Sequence, residues 1–191
     1  CQQCHMPAPT MLDGQAITNV APSAGGIERD PSTIHAHTFP GAASQELLQN
    51  AVTVEVDARR EADTIVVEVT ITNDRTGHHI PTDSPLRQMI LLVQARDRQG
   101  ELLPLVEGPV LPEWCGVGEP AEGCYAGLPG KAYARILQEL WTEIAPTGAY
   151  WNPTRVLSDT RLAPFQADAS VYVFRSQEAP TTVDVVVLFR R

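Results

Sequence analysis

Nothing in the 191-residue sequence approaches the run of roughly 18 apolar residues that a bilayer-spanning helix requires, so no transmembrane segment is expected in this chain. Positive charge is scarce: 14 Lys and Arg stand against 23 Asp and Glu, a net charge of −9. That balance argues against nucleic acid and anionic membrane surfaces as partners. There is no G-x-S-x-G, no Gly-rich phosphate loop and no H-E-x-x-H, which removes the common hydrolase, nucleotide-binding and metalloprotease readings. Internal repeats and low-complexity segments are missing too. So are an initiator Met and a signal peptide, and the chain is therefore expected to start inside a processed or trimmed polypeptide.

What is present suffices for one sizeable core, since 43% of the residues are hydrophobic. The 16 Pro and 13 Gly, in a background of Val and Thr, suggest many short strands joined by turns. Residues 1–43 carry turn signals ("PAPTMLDGQ", "APSAGGIERDPST", "FPGAAS") without sustained periodicity. A segment that long rarely holds itself together unaided. "SQELLQN" (44–50) predicts one short helix with Ser44 as its N-cap. From residue 51 the pattern changes. "AVTVEV" puts Val52, Val54 and Val56 on one face, and "TIVVEVTIT" does the same with Ile65, Val67, Val69 and Ile71. "QMILLVQA" (88–95) is a continuous apolar run, as in a strand covered on both faces. "SVYVFRS" (170–176) and "TTVDVVVLFRR" (181–191) read as strands on their β-branched content. "KAYARILQELWTE" (131–143) is ambiguous between helix and strand. The expected fold is mainly β: an immunoglobulin-like antiparallel β-sandwich over 51–191, preceded by an irregular segment, 1–50.

The chain opens with "CQQCHMP". From its own Cys and His frequencies a C-x-x-C-H would arise by accident at odds of roughly 1 in 500. Haem attachment needs two thiols, here Cys1 and Cys4, spaced to reach the two vinyl groups of one porphyrin, with the adjacent His5 approaching the iron. A zinc clip would need a second ligand pair, and a redox dithiol would want a strand before the motif and a helix after it. One covalent haem c in the irregular segment is the favoured reading. A lipid on the Cys1 sulfur would compete with a thioether there, so further residues, with room for further haem sites, are expected upstream. Haem c is attached outside the cytoplasm, where disulfides persist. Cys115 and Cys124 in "CGVGEPAEGC" are accordingly expected to pair, closing a small loop worth roughly 2–3 kcal/mol; two buried thiols are the alternative.

His5 takes the proximal side. His35, His37, His78, His79, Met6, Met11 and Met89 are the residues to consider opposite it. Met6 adjoins the proximal His and cannot reach the other face, and Met89 begins an apolar strand and reads as core. "IHAHTFPG" offers two His in a loop, with Phe39 available to pack on a porphyrin, and "TGHHIPTD" offers two more at a strand end.

The succession "CxxCHMP", "HTFPG", "TGHHIPTDSPLR", "ARDRQGE" and "SDTRLAP" followed by "VYVF" resembles the C-terminal portion of certain bacterial multihaem c-type cytochromes, over nearly the whole chain. The resemblance implies a haem-bearing segment joined to a β-sandwich. It matches His37 to the His of H-x-F-P-G and His78 to that of G-H-x-x-P, with His79 an extra. "PTD" stands where that pattern has P-T-G, and one C-x-x-C-H is visible where several are usual. The implied function is one-electron transfer through a bis-His haem held by His5 and His37, in the periplasm or outside the cell, with other cytochromes or haem domains as redox partners. His78, set between Gly77 and a Pro-bearing turn, is expected to lie at the haem edge or to serve a haem of an upstream segment or a neighbouring subunit; the alternative is an exchange, with His78 as the distal ligand of this haem and His37 idle, and His35 and His79 are the further alternatives. Asp83, Arg87, Asp159 and Arg161 fall within these motifs and read as structural ion pairs at turn ends. Two alternatives remain: a structural subunit of an extracellular cytochrome filament or respiratory complex, and a haem enzyme with an open distal site.

Overall fold

The computed structural model describes residues 2–176 and 182–190, and the chain divides into two compact units, Cys1–Asn50 and Ala51–Arg191. Cys1 lies outside the described residues. Among them no helix is long and apolar enough to cross a membrane.

The first unit is nearly all loop. A single turn of helix, α1 (Gln2–His5), leads to a two-residue hairpin, β1 (Met11–Leu12) and β2 (Gln15–Ala16). Its turn is Asp13-Gly14, both in the left-handed region at φ 50° and 80°, the pair that best matches strand twist in a tight hairpin. Two 3₁₀ turns follow at Pro22–Ala24 and Pro31–Thr33, each opened by its proline. A short helix forms where the sequence places one: α2 (Gln45–Gln49), with the Ser44 hydroxyl accepting the Leu47 N–H at 3.2 Å. Ile34 is the one fully buried apolar residue described in this unit, at 4% exposure.

The second unit is an antiparallel sandwich. One sheet runs in the order β3 (Thr53–Glu61), β4 (Thr64–Thr72), β10 (Ala167–Arg175), β6 (Leu105–Glu107). The other runs β11 (Thr182–Arg190), β5 (Gln88–Arg96), β7 (Gly130–Tyr133), and a separate ribbon pairs β8 (Arg135–Glu139) with β9 (Thr154–Asp159). Every pairing is antiparallel. The architecture is the sandwich shared by immunoglobulin-like domains, with a strand connectivity of its own. Between the sheets lie Ile65, Val67, Val69 and Ile71 from β4, Met89, Leu91, Val93 and Ala95 from β5, and Tyr172 and Phe174 from β10. These are the period-2 faces of their strands, which is why alternation predicts them. The opposite face of β5 is covered too: Ile90 packs with Leu111, Cys115 and Ala132 in a second, smaller cluster. Lys131 of β7 bonds Asp168 of β10 at 2.6 Å, and the Tyr133 hydroxyl donates to the same carboxylate at 2.7 Å, tying the two sheets together.

The expected Cys115–Cys124 disulfide is corrected by the structure: both residues are free thiols. Cys115 is fully buried among the apolar side chains of the smaller cluster, and the loop is closed by its backbone instead. Tyr125 N–H donates to the Cys115 carbonyl (3.3 Å), Ala126 N–H to Gly116 (2.9 Å) and Cys124 N–H to Glu119 (3.3 Å). Burial pushes the Cys115 thiol up to about 11, against the opposing pull of Arg190, so the thiolate that thiol chemistry requires is disfavoured there.

Candidate functional site

Residues 5–10, which include the end of the opening motif, are held against residues 34–40 by five hydrogen bonds. Thr10 donates through its N–H and its hydroxyl to the Ile34 carbonyl, at 2.9 and 3.0 Å, and Ala36 N–H donates to Pro7 at 2.9 Å. His5 Nδ1 lies 2.7 Å from the Pro40 carbonyl, and His35 Nδ1 lies 2.7 Å from the Met6 carbonyl. A carbonyl can only accept, so both imidazoles carry their proton on Nδ1. That fixes each ring's tautomer and orientation, the arrangement metal-ligating histidines commonly use.

Beside this seam the first unit contains a cavity of about 550 Å³, walled by Met6, Ile17, Val20, Ile34 and the two imidazoles of His35 and His37, with Arg29 at its margin. Its size and mostly apolar walls suit a small-molecule or cofactor site. Cys4 is exposed and His5 half-buried on the single turn of α1, so a thiol and an imidazole are presented together next to the cavity wall at Met6. These residues fit a covalently anchored haem: a free thiol at the surface, an oriented imidazole and an apolar pocket with further imidazoles. His37 is exposed, and its ring meets that of Phe39 edge-on, centroids 5.9 Å apart at 75°. Phe39, 60% exposed, takes a left-handed φ of 46°.

The histidines of "TGHHIPTD" belong to the second unit, where both are exposed. His78 Nδ1 lies 2.9 Å from the His79 carbonyl. The loop is built on Asn73, a fully buried residue at the end of β4 that sequence reasoning passed over. Its amide donates to the His78 carbonyl (2.8 Å) and the Leu162 carbonyl (3.1 Å), and its oxygen accepts the Thr76 hydroxyl (2.7 Å). Ile80 and Leu162 exchange a pair of backbone bonds, both 2.9 Å. The "GHHIPTD" and "DTRLAP" loops are thereby zipped together. Arg87 pairs with Asp83 at 2.9 Å, and Arg161 grips Asp159 with a two-pronged contact at 2.8 and 2.7 Å, as structural ion pairs at turn ends would. Thr160 bridges the strands, accepting from Ala134 N–H at 3.1 Å and donating to the Ala132 carbonyl at 2.9 Å. No group of three His, Cys, Asp or Glu side chains converges as a metal site among the described residues.

No family model matches the sequence, and no curated protein matches it. A solved structure does: the chain is similar to a penta-heme cytochrome c552 from Thermochromatium tepidum, with a TM-score of 0.58 and 20% sequence identity. The match covers 98% of this chain and 39% of that one. The chain thus has a cytochrome-like fold and spans about two fifths of its neighbour's length.

Proposed function

We propose that this chain is a c-type cytochrome, or the haem c domain of a multihaem cytochrome, carrying single electrons outside the cytoplasm. One observation carries the reading: the C-x-x-C-H turn is stapled to a histidine-bearing segment with the His5 and His35 rings both pinned through Nδ1 to backbone carbonyls. Fold similarity to a penta-heme cytochrome supports it. In this reading the thiols of Cys1 and Cys4 anchor one haem c, which supplies one-electron Fe(III)/Fe(II) chemistry. His5 is the proximal ligand, its tautomer set by Pro40. His37 is the sixth ligand and Phe39 packs beside it. His35 is the competing choice, because it lines the same cavity and its ring is already oriented by Met6. Two imidazoles hold a potential below that of a His/Met pair. His78 is assigned to a haem held by another segment or subunit, and other cytochromes or haem domains are the redox partners.

The test has three parts. Denaturing electrophoresis with a haem peroxidase stain should give a band, and the alkaline pyridine spectrum should be of haem c type; a colourless chain ends the reading. The reduced protein should not bind carbon monoxide without denaturant, and ready binding would move the function to an enzyme with an open distal site. His37→Ala should turn a low-spin spectrum high-spin while His35→Ala leaves it intact, and the reverse pattern assigns the ligand to His35.

A second reading, a structural subunit of a cytochrome filament, is favoured by the tip of the β8–β9 ribbon. Trp141, Tyr150 and Trp151 are 74%, 91% and 70% exposed there, and aromatic residues are enriched at protein interfaces. Replacing Trp141 and Trp151 by Ser should then dissociate an oligomer seen by size exclusion with light scattering.

A further inference from the structure

At the loop end of the sandwich, where "PTDSPLR" meets the start of β8 and "DTR", three guanidinium groups gather around one small pocket. Arg87, Arg135 and Arg161 line it together with Thr82, Asp83 and Ser84, and its volume is about 80 Å³. Two of the arginines are committed to carboxylates: Arg87 to Asp83 and Arg161 to Asp159. The third, Arg135, makes no ion pair and no side-chain hydrogen bond among the described residues; it stands opposite Asp159 in the β8–β9 register and acts on that carboxylate, already gripped by Arg161, only through space. The pocket therefore carries three cations against two anions in a chain whose net charge is −9.

Asp83 sits at φ 75°, in the left-handed region, and the turn behind it closes through Arg87 N–H to the Ser84 carbonyl at 3.0 Å. Arg161 and Arg87 are 18% and 29% exposed at the side chain, so packing limits the directions in which either guanidinium can swing, and each already holds one carboxylate. Drawing charge of one sign out of water is unfavourable unless a counter-charge is close, and the planar guanidinium fork suits a carboxylate or a phosphate above other anions. The Thr82 and Ser84 hydroxyls add neutral donors at the rim.

We propose that this pocket binds a small oxyanion, carboxylate or phosphate in type, with Arg135 as the arm that closes on it. The site lies wholly within the sandwich unit and does not depend on the proposed haem. The test is calorimetric titration of the whole chain, haem included if attached, with malonate, with inorganic phosphate, and with chloride at matched ionic strength. One-to-one binding of malonate or phosphate, at least tenfold tighter than chloride, is expected, and whichever oxyanion binds more tightly identifies the ligand type. Arg135→Gln removes an exposed, unpaired side chain and should leave folding intact while weakening binding about tenfold. Asp83→Asn removes the carboxylate that competes for Arg87 at a position where Asn tolerates positive φ, and should tighten binding severalfold. Oxyanions that bind no better than chloride, or that bind equally to wild type and Arg135→Gln, would overturn the proposal. So would a loss of affinity in Asp83→Asn with the fold retained.

Discussion

Asn73→Ala puts the construction of the "TGHHIPTD" loop to a quantitative test. The side chain is fully buried and makes three hydrogen bonds, to the His78 and Leu162 carbonyls and from the Thr76 hydroxyl. Truncation removes all three. Neither carbonyl is orphaned, because Leu162 still accepts Ile80 N–H at 2.9 Å and the one Thr76 hydroxyl proton, released by Asn73, can pass to the His78 carbonyl 3.0 Å away. The loss should therefore approach the net value of the bonds themselves, about 1 kcal/mol each, or about 3 kcal/mol in total. For a chain of this size that lowers Tm by roughly 6–12 °C. Asn73→Asp is nearly isosteric but turns a donor into an acceptor facing two carbonyl oxygens, and buries a charge, so it should cost more than Ala despite filling the space better. Urea unfolding followed by tryptophan fluorescence, with calorimetry as a check, measures both. A loss under about 1 kcal/mol for Ala, or Asp tolerated better than Ala, would refute the assignment of Asn73 as the post on which the loop hangs.

Other positions give sharp expectations. Gly130 starts β7, where an added Cβ would run into the Leu91 carbonyl oxygen and the Leu111 side chain; Gly130→Ala should cost about 1–3 kcal/mol in urea unfolding, as overpacking does. Glu139 accepts from Thr142, Thr147 and Asn152, and those bonds, Thr142 foremost, hold its carboxyl below the ordinary value of 4.5. A depressed carboxyl stabilises the fold above its unfolded value and loses that contribution as pH falls through the folded one. Glu139→Gln should accordingly flatten the acid limb of the stability–pH curve below 4.5, read from urea midpoints. Under native conditions at pH 8, Cys115 should resist iodoacetamide while Cys124 reacts slowly, and unreduced unfolded chain should take up label at both, as counted by mass spectrometry.

Much of the sandwich is legible in the sequence because burial there follows the pleat. The alternation of β4 names its four core residues, and the unbroken apolar run of β5 reports a strand covered on both sides, by the main core through Leu91 and by the Leu111–Cys115 cluster through Ile90. Alternation does not say whether a face is covered, and in β3, an outer strand, Val54 and Val56 are exposed. Segment 131–143 misleads locally: its residues favour a helix, yet "GKAY" pairs with β5 and "RILQE" with β9, so tertiary pairing overrides propensity. At the candidate site, C-x-x-C-H stands out in the sequence because its spacing is the one that thioether attachment of a haem would need. The partners that orient the imidazoles are backbone carbonyls of Met6 and Pro40, and a main-chain acceptor leaves no trace in residue identity. Cys115 and Cys124 show the converse. Their spacing permits a bond, but the direction of the Cys115 side chain, into the apolar cluster, is set by packing that a linear sequence does not display.

The energetics of the first unit explain why its opening motif matters to its fold. Bringing Met6 to His35, 29 residues apart, carries a length-dependent loop-closure cost of about 3 kcal/mol, before any constant term. The five hydrogen bonds along the seam contribute about 1 kcal/mol each at best, and burial adds little when Ile34 is the one fully buried apolar residue described there. The two sides nearly cancel. The second unit, with a continuous core from both sheets, has no such shortage. The chain without attached haem should therefore lose the first unit well before the second, and amide exchange should be fast at Thr10 and Ala36 while Val67 and Leu91 stay protected. On the proposed reading, a haem anchored to Cys4 and seated against Met6, Ile17 and Ile34 would supply the missing burial, so exchange at Thr10 and Ala36 should slow by at least tenfold in a haem-bearing chain. Equal protection with and without haem would mean that this seam is stable on its own and that the cavity is not where the haem sits.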